Sequence, residues 1–318
     1  MSPTGTESQP AQVEPLPANI TSVQPGGGVC YSLELAWGRV RRWYLRTFRR
    51  GYVARMAALR QGDTTGAPHE ILDPRDLKYC RNLCTAAWKD ADDPFAWRER
   101  IPFARWGLAE LQLMSYPLLA GIVALVMTRY WPLAVPLAVV LGLIVYFFRD
   151  PPRRIPQEPG LMVSPADGKV VEIVPLDHDE FIGGPAVRIG LFLSIFNVHL
   201  NRVPCDARVL SLRYAPGKFL SALRPESARE NEAMWIGLEE TGPARRRLVV
   251  RQIAGQFARR IVCGLRPGEE LARGKQFGMI KLGSRTELIL PAGGLEIVTR
   301  LGERVAAGSS VLARYKDA

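Results

Sequence analysis

The stretch FGMIKLGSRTELILP places Gly283 and Ser284 between two apolar runs that have strand character. A serine hydroxyl can attack the carbonyl of the preceding residue when a turn holds the backbone under strain, and glycine leaves that carbonyl open to approach. The resulting ester can eliminate to dehydroalanine, whose hydrolysis leaves a pyruvoyl ketone at a new N-terminus. An ordinary hairpin turn is the alternative interpretation of the same residues.

Three further stretches carry residues that could act with Ser284. Asp167 lies in the turn SPADG, and His199 follows an apolar strand in FLSIFNVHLNRVP. Lys218 and Arg224 lie in PGKFLSALRPESARENEAMW, a loop and predicted helix that could contact phosphate. Taken singly, each stretch also fits a β-turn, a structural histidine or a solvated helix. The five cysteines are scattered and only three histidines occur, so no metal site is predicted.

The charge of the chain indicates an anionic partner. The chain has 318 residues and a formal net charge of +11, which points to nucleic acid or to an anionic membrane surface. Residues 31–60 interleave arginine with aromatic and aliphatic residues, as in a helix that lies on such a membrane. Nucleic-acid binding and a plain solvated helix are the competing interpretations of this segment.

Residues 113–148 favour the membrane, because Arg129 is their only charged residue. This length allows two short spans joined at the cluster Arg129-Tyr130-Trp131-Pro132. A buried hairpin in a soluble protein and one long tilted helix are the alternatives. Arginines flank both ends of the segment, so both ends are expected on the cytoplasmic side.

Composition and hydrophobic pattern divide the chain into four parts. We predict a disordered tail at 1–30, a basic and partly helical extension at 31–100, a membrane hairpin at 101–149 and a mostly β (α+β) domain at 150–318. Within the last domain, a helix is expected near residues 221–233. The run GERVAAGSSVLARY is expected to form a strand–turn–strand hairpin.

The order of these motifs resembles that of the phosphatidylserine decarboxylases, lipid enzymes that use a pyruvoyl group. YFFRDPPRRIP, SPADG, LSIFNVHLNRVP, ENE and FGMIKLGS follow one another as in the short, compact type of that family. The resemblance covers roughly residues 100–318. It implies a proenzyme that cuts itself between Gly283 and Ser284, which leaves chains 1–283 and 284–318 as a heterodimer, with a higher oligomer left open.

The resemblance also implies roles for individual residues. Ser284 becomes the pyruvoyl group, which forms a Schiff base with phosphatidylserine so that decarboxylation yields phosphatidylethanolamine for phospholipid biosynthesis. Asp167 and His199 match polar residues near the active site, and His199 is our candidate for the acid that protonates the carbanion. Lys218, Arg224 and Phe277 are candidates for substrate contacts. The implied partners are an anionic phospholipid and the cell membrane, with the catalytic domain cytoplasmic and no nucleic acid.

One position departs from the family pattern. Many members have His-x-x-His in the second motif, whereas here the second position is Arg202. Asp167, His199 or water must therefore supply the base that the second histidine supplies elsewhere. Two other functions remain open at this point: an uncleaved, non-catalytic membrane adaptor with the same fold, and a pyruvoyl decarboxylase that acts on another serine lipid.

Overall fold

The structure is a computed structural model that describes residues 12–221, 226–256, 260–281 and 283–316. Its α-helices are α1 (Val29–Phe48), α2 (Arg50–Leu59), α3 (Leu108–Val126), α4 (Ala134–Phe147) and α5 (Ser227–Glu230). Short 3-10 helices occupy Pro74–Lys78, Asp90–Asp92, Ala96–Glu99, Arg105–Gly107 and Trp131–Leu133. The longer helices all precede residue 150, and the described chain after that residue is almost entirely strand and turn, which confirms the predicted mostly β (α+β) class.

The strands lie beyond residue 160 and form three antiparallel sheets. They are β1 (Leu161–Val163), β2 (Gly168–Asp179), β3 (Gly184–Leu193), β4 (Leu200–Arg202), β5 (Ala207–Ala215), β6 (Ala233–Glu240), β7 (Arg247–Ile253), β8 (Arg260–Cys263), β9 (Glu270–Leu271), β10 (Gln276–Lys281), β11 (Ser284–Pro291), β12 (Leu295–Ile297), β13 (Arg304–Val305) and β14 (Val311–Tyr315). The main sheet has eight strands in the order β13-β2-β3-β11-β7-β6-β5-β9. The smaller sheets have the orders β1-β14-β12 and β4-β10-β8.

The main sheet holds β11 between β3 and β7. Leu288 of β11 pairs with Ile189 on one side and with Val250 on the other, and all three side chains are buried in the main core. Alternate residues of a strand point to the same face. Ser284 and Thr286 therefore share the core-facing side of β11 with Leu288.

The predicted C-terminal hairpin is wrong. β13 pairs with β2 in the main sheet, whereas β14 pairs with β1 and β12 in a separate sheet. The glycine-containing turn between them therefore passes the chain from one sheet to another. A strand–turn–strand pattern specifies two strands and a turn, but it does not specify which partners the strands hydrogen-bond.

The apolar segment before residue 150 folds as two helices that pack against each other, α3 and α4. They are joined through Trp131–Leu133, so Pro132 precedes the first turn of α4, where its missing N–H costs little. The alternative of one long helix is therefore wrong. Residues 105–126 are long and apolar enough to cross a membrane by length and composition alone, which is weak evidence, and the helix at 131–147 is shorter.

The helix predicted within residues 31–60 is present but is broken at Arg49 into α1 and α2. Ion pairs fix α1 to the loop beyond α2: Arg41 pairs with Asp73, Arg42 with Asp76, and Arg46 with Glu70. Part of the basic face is thus neutralised within the chain. The exposed side of α1 carries the apolar and aromatic residues Val29, Leu33, Trp37, Val40, Tyr44 and Phe48.

Part of the segment that we predicted as a disordered tail packs against the β-rich domain. Ile20 and Val23 are almost fully buried, and the Cys263 N–H donates to the carbonyl oxygen of Val23 at 2.8 Å. Residues 12–28 thus run along the domain without regular secondary structure. The low hydrophobicity of this segment as a whole did not indicate that Ile20 and Val23 are buried.

Candidate active site

Ser284 is the first residue of β11, where it pairs with Leu193 of β3. Its side chain is fully buried. The Oγ atom makes no hydrogen bond to any residue within the described ranges. A buried hydroxyl normally has a partner, because burial without one forfeits its hydration. A buried hydroxyl in this state, directly after a glycine turn, is a candidate nucleophile.

Gly283 provides the strained turn before the serine. Its φ is 54°, in the left-handed region that disfavours residues with a β-carbon. Among the described residues, no heavy atom lies within 4 Å of the place a β-carbon would occupy, so conformation and not space favours glycine here. Because β10 and β11 belong to different sheets, the interpretation of Gly283-Ser284 as an ordinary hairpin turn is wrong.

His199 contacts this turn directly. Its Nε2 atom accepts a hydrogen bond from the Gly283 N–H at 3.2 Å. Its Nδ1 atom lies 2.9 Å from the carbonyl oxygen of Asn197, which can only accept. These two partners fix the neutral tautomer with the proton on Nδ1. The lone pair of His199 therefore points at the backbone that precedes Ser284.

Burial keeps this imidazole neutral. Loss of hydration lowers the pKa of His199 to about 4, and the positive charge of Arg149 acts in the same direction, against the hydrogen bond to Asn197. The ring of Phe147 packs on the imidazole with 4.4 Å between the ring centres. At neutral pH, His199 is therefore an unprotonated base, whose Nε2 lone pair is engaged by the Gly283 N–H, and not an acid.

Both helices of the apolar hairpin touch the strands that carry the site. Glu110, in the first turn of α3, forms an ion pair with Lys281 of β10. Lys281 also donates to Oε1 of Gln24 at 3.3 Å. Phe147, at the end of α4, packs on His199. The position of the hairpin is thus coupled to the position of the Gly283 turn.

A buried polar network lies beside Ser284, and the sequence interpretation missed it. Asn201 donates to the Thr286 hydroxyl at 3.2 Å, and Gln252 donates to Oδ1 of Asn201 at 2.9 Å. All three side chains are fully buried. The available signal was the pair of polar residues Ser284 and Thr286 on a strand face that continues as leucine. Such a network fixes side-chain positions because every broken bond leaves a buried polar atom unsatisfied.

Within the described residues, Asp167 forms no hydrogen bond or ion pair with Ser284 or His199. Both of its carboxylate oxygens accept from Nη2 of Arg153 at 2.9 Å, and Oδ1 also accepts from the Ala307 N–H at 2.8 Å. These contacts engage both carboxylate oxygens in a nearly buried setting. In this form of the chain, Asp167 ties the SPADG turn to Arg153 and Ala307.

Arg202, at the position of the expected second histidine, is likewise engaged. Its guanidinium donates to Oδ1 of Asp150 and to the carbonyl oxygen of Gly274, each at 2.9 Å. Burial lowers its pKa, and Asp150 opposes that change. An arginine remains protonated in proteins regardless of such shifts. Arg202 is therefore a structural cation, and Asp167, His199 and water remain the candidates for the base.

The candidate substrate contacts are dispersed. The Lys218 ammonium is exposed and pairs with Glu230 at 2.7 Å. Phe277 is buried in the main core. Arg224 lies outside the described residues, as do the other residues of 222–225. Of the helix predicted near residues 221–233, the described part is helical only at Ser227–Glu230, and Ala233 already belongs to β6. Within the described part of the chain, the ion pair of Lys218 and the core packing of Phe277 do not involve Ser284 or His199.

The arrangement joins three requirements for backbone cleavage at one point. It has a buried hydroxyl, a turn with left-handed geometry, and a neutral imidazole on the amide of the residue that would be attacked. Holding these groups in one chain removes most of the entropic cost of bringing them together. Within the described residues, no cluster of three or more histidine, cysteine, aspartate or glutamate side chains could hold a metal ion.

Comparison with known proteins identifies the family. The family model described as phosphatidylserine decarboxylase matches residues 140–313, which include Ser284, His199 and Asp167. A phosphatidylserine decarboxylase proenzyme from Rhodopirellula baltica is 54% identical over 244 residues, which are 76% of this chain and 100% of that protein. A protein of the same name from Chlorobium phaeobacteroides is 44% identical over 62% of this chain and 92% of its own length.

A third relative with that name, from Nitrosomonas eutropha, is 42% identical over 64% of this chain and 94% of its own length. The matches therefore extend over nearly the whole of each relative and over the β-rich part of this chain that carries the site. The chain therefore belongs to the phosphatidylserine decarboxylase family.

Proposed function

We propose that this protein is a membrane-anchored proenzyme that cuts itself at Gly283–Ser284 and then decarboxylates phosphatidylserine to phosphatidylethanolamine. The observation that carries the proposal is the buried Ser284 hydroxyl, unpartnered among the described residues, directly after a left-handed glycine whose amide is bonded to His199. The family supports the reaction, and the geometry of the turn supports the self-processing step.

Self-processing would begin at the Ser284 hydroxyl. The Oγ atom attacks the carbonyl carbon of Gly283, its proton passes to a base, and the peptide bond becomes an ester with a free amine on residue 284. Removal of the α-proton of residue 284 then expels the Gly283 carboxylate and leaves dehydroalanine. Water converts dehydroalanine to a ketone with release of ammonia, so all atoms are accounted for.

His199 is the base that the structure best supports for these proton transfers. Its Nε2 lone pair already faces the Gly283 amide, and its lowered pKa keeps it unprotonated at neutral pH. The acid role that we predicted for His199 in decarboxylation requires a proton that the imidazole does not hold in this form. We infer that His199 acts first as a base and acts as an acid only after it has gained that proton.

Residue 284 then fits a pyruvoyl group, because a buried, water-poor position suits an electrophilic ketone. Such a group supplies a carbonyl that takes the substrate amine as a Schiff base and draws electrons from the bond to the carboxylate. The chain's own contribution is positional. Thr286 and Asn201 hold the strand beside residue 284, and the aromatic ring of Phe147 limits the access of water to His199.

The apolar hairpin supports the proposed location at the membrane. Apolar side chains are exposed along both helices: Leu113, Met114, Leu119, Val123, Val126, Val135, Val139, Val140 and Leu143. Exposed apolar surface of this extent indicates contact with lipid or protein. From its length in residues, α3 spans about 28 Å and α4 about 21 Å, against a hydrocarbon core of about 30 Å. The proposed topology keeps both hairpin ends on the cytoplasmic side.

The loop before His199 would lie at the same surface. Ile195 and Phe196 are exposed, and Arg149 donates to the Phe196 carbonyl oxygen at 2.9 Å from the end of α4. An anionic lipid that stays in the bilayer could therefore reach the site without leaving the interface. This placement also favours a lipid substrate over a free amino acid.

Intact mass spectrometry of the full chain tests the proposal. We expect two chains, with the small one beginning at residue 284 and lighter than its serine form by the elements of ammonia. Ser284→Ala should stay whole. Ser309→Ala is the matched control, because Ser309 also follows a glycine with positive φ, at 74° for Gly308, and it should be cleaved like the wild type.

The decarboxylation part of the proposal is tested by measuring the conversion of phosphatidylserine in mixed micelles with the same samples. Carbon dioxide and phosphatidylethanolamine should form with the wild type and with Ser309→Ala, and not with Ser284→Ala. An intact wild-type chain with an ordinary serine would support the non-catalytic adaptor instead. Cleavage without activity on phosphatidylserine would point to another serine lipid.

A further inference from the structure

A cavity of about 560 Å³ lies between α1, segment 69–105 and the first turns of α3. Its volume falls within the range of about 300–1,000 Å³ that is usual for ligand pockets. Neither His199 nor Ser284 is among the residues that line it. The cavity is therefore separate from the candidate active site and belongs largely to the N-terminal extension, for which the sequence suggested no chemistry beyond membrane contact.

The lining of the cavity is strongly basic. Its basic side chains are Arg41, Arg42, Arg75, Lys78, Arg98 and Arg105. The acidic side chains of the described lining are Glu34 and Asp76. This imbalance concentrates positive charge in a partly enclosed space, where water screens charge less well than at an open surface.

Two of these cations differ from the rest in having no carboxylate partner among the described residues. The chain's own acids neutralise the other four in the ion pairs Arg41–Asp76, Arg42–Asp76, Lys78–Glu34 and Arg105–Glu99. Among residues 12–221, 226–256, 260–281 and 283–316, no carboxylate lies within ion-pair distance of Arg75 or Arg98. Arg98 instead packs over the rings of Phe95 and Trp97.

These two arginines also repel each other. Burial lowers the pKa of Arg75, and the charges of Arg98 and Arg41 lower it further, against the opposite effect of Asp73 and Asp76. Burial likewise lowers the pKa of Arg98, with Arg105 and Arg41 acting in the same direction and Asp73 and Asp93 opposing them. Like charges held together in a cavity cost free energy, which a bound anion would offset. Guanidinium groups suit phosphate in particular, because their forked N–H donors match its oxygens.

The remaining walls are apolar and reach the surface of the hairpin. Trp37, Trp97, Leu113 and Tyr116 line the cavity and are also among the exposed large apolar residues. Leu113 and Tyr116 belong to α3, the helix that is long enough to enter a bilayer. A ligand that satisfies both parts of the cavity needs an anionic head and apolar chains.

We propose that this cavity binds the phosphate group of an anionic phospholipid, with Arg75 and Arg98 on the phosphate and the acyl chains along the exposed side of α3. The lipid is a resident of the membrane and not the molecule undergoing reaction at residue 284. The inference rests on the membrane association proposed above, but it is independent of the chemistry at Ser284. Its effect would be to hold the extension and α3 in a fixed orientation at the interface.

Lipid binding to the detergent-purified full chain tests this inference. The probes are phosphatidylglycerol and phosphatidylcholine with the same acyl chains, titrated and counted as adducts by native mass spectrometry. Wild type should retain one phosphatidylglycerol in preference to phosphatidylcholine. The pair Arg75→Gln/Arg98→Gln should weaken phosphatidylglycerol binding at least about tenfold, because two charge-assisted contacts are lost.

Two further variants make the test specific. Arg300→Gln/Arg304→Gln removes the same charge from exposed positions of the β-rich domain and should bind like the wild type. Arg75→Lys/Arg98→Lys keeps the charge but not the forked donors, so its affinity should fall between wild type and the glutamine pair. Thermal melting of each variant separates loss of binding from loss of folding, and the lysine pair serves if the glutamine pair is unfolded.

Several results would overturn the inference. Equal retention of the two lipids by the wild type, or wild-type binding by the glutamine pair, would remove the site. Displacement of phosphatidylglycerol by excess inorganic phosphate alone would show a site for free phosphate. The Ser284→Ala chain should bind phosphatidylglycerol as well as wild type, so a failure of the proposed decarboxylation leaves this measurement readable.

Discussion

The backbone N–H of Gly283 is hydrogen-bonded to Nε2 of His199 at 3.2 Å. This bond joins a turn between two sheets to a loop beyond β3, across 84 residues of sequence. It gives the imidazole one tautomer and aims its lone pair at the residue whose carbonyl Ser284 would attack. A histidine and a glycine that are ordinary when taken singly thus meet at the backbone where we propose self-cleavage.

The pH dependence of self-processing should report the lowered pKa of His199, which is about 4 in the folded chain. The neutral base is present above that pKa, so processing should be constant from pH 8 to about pH 5 and fall as pH drops through about 4. Pulse-labelled proenzyme followed by gel electrophoresis measures the rate. His199→Gln should process very slowly at every pH. A midpoint near 6.5 would show that the histidine is solvated during the reaction.

The lowered pKa of His199 also makes the folded proenzyme less stable in acid. The unfolded chain binds a proton near pH 6.5 and the folded chain near pH 4, so His199 contributes stability that is complete above pH 6.5 and is lost as pH falls through about 4. Urea unfolding of Ser284→Ala at several pH values should show the free energy of unfolding falling with pH. Adding His199→Gln should flatten the dependence of this free energy on pH between pH 6.5 and 4. An unchanged dependence would contradict the assignment of His199 as buried and neutral.

Gly283→Ala should slow self-cleavage without a steric clash. A β-carbon at φ 54° costs about 1–2 kcal/mol, which corresponds to roughly a tenfold slower rate if the turn must keep this geometry. The measurement is the half-time of conversion to two chains. Gly293→Ala is the matched control, because Gly293 also has open space around it and is not among the glycines with positive φ. Equal half-times for both variants would rule out strain at the turn.

Arg202→Gln should affect stability more than processing. The guanidinium is paired with Asp150 in a nearly buried setting, and removal of one partner of such a pair costs about 3 kcal/mol. We expect a lower Tm but complete cleavage at a temperature where the variant is folded. Asp150→Asn/Arg202→Gln should cost less than the sum of the two single changes. Loss of cleavage in a folded Arg202→Gln chain would instead place Arg202 in the reaction.

Thr286→Val should impair the positioning of Ser284. The variant removes the hydroxyl that accepts from Asn201, which leaves one N–H of that buried amide unsatisfied at a cost of about 1–3 kcal/mol, while the other still donates to Pro165. We expect slower cleavage together with a lower Tm. Thr286→Ser keeps the hydroxyl and should restore most of the cleavage rate. If valine and serine variants cleave equally fast, the network supports folding alone.

Ile195→Ser/Phe196→Ser should weaken the use of membrane substrate. Both side chains are exposed beside the end of α4, and transfer of each into lipid is worth about 1–3 kcal/mol. The two losses together come to at least about 2 kcal/mol, so on vesicles containing phosphatidylserine the interfacial KM should rise at least roughly thirtyfold, with little change on a short-chain soluble substrate. Val298→Ser/Leu301→Ser, at exposed positions of the β-rich domain, is the control. Equal losses on both substrates would contradict an interfacial role.

The sequence alone predicted the chemistry of the candidate site. Gly283-Ser284 between two apolar runs, with SPADG and FNVHLNR before it, indicated the family, the candidate serine and the candidate histidine. It also indicated the mostly β domain and the two apolar helices before it, because alternating and continuous apolar runs report which faces are buried. These features depend on residues close in sequence, where local periodicity and turn chemistry suffice.

The tertiary structure decided which groups meet. No local pattern tells that β10 and β11 lie in different sheets, that Asp167 is held by Arg153, or that Arg202 is held by Asp150. Nor does a pattern show that Thr286, Asn201 and Gln252 form one buried network. The physical reason is that strand pairing and the burial of polar groups are set by partners distant in sequence. Proton positions and pKa values then depend on that burial, as at His199.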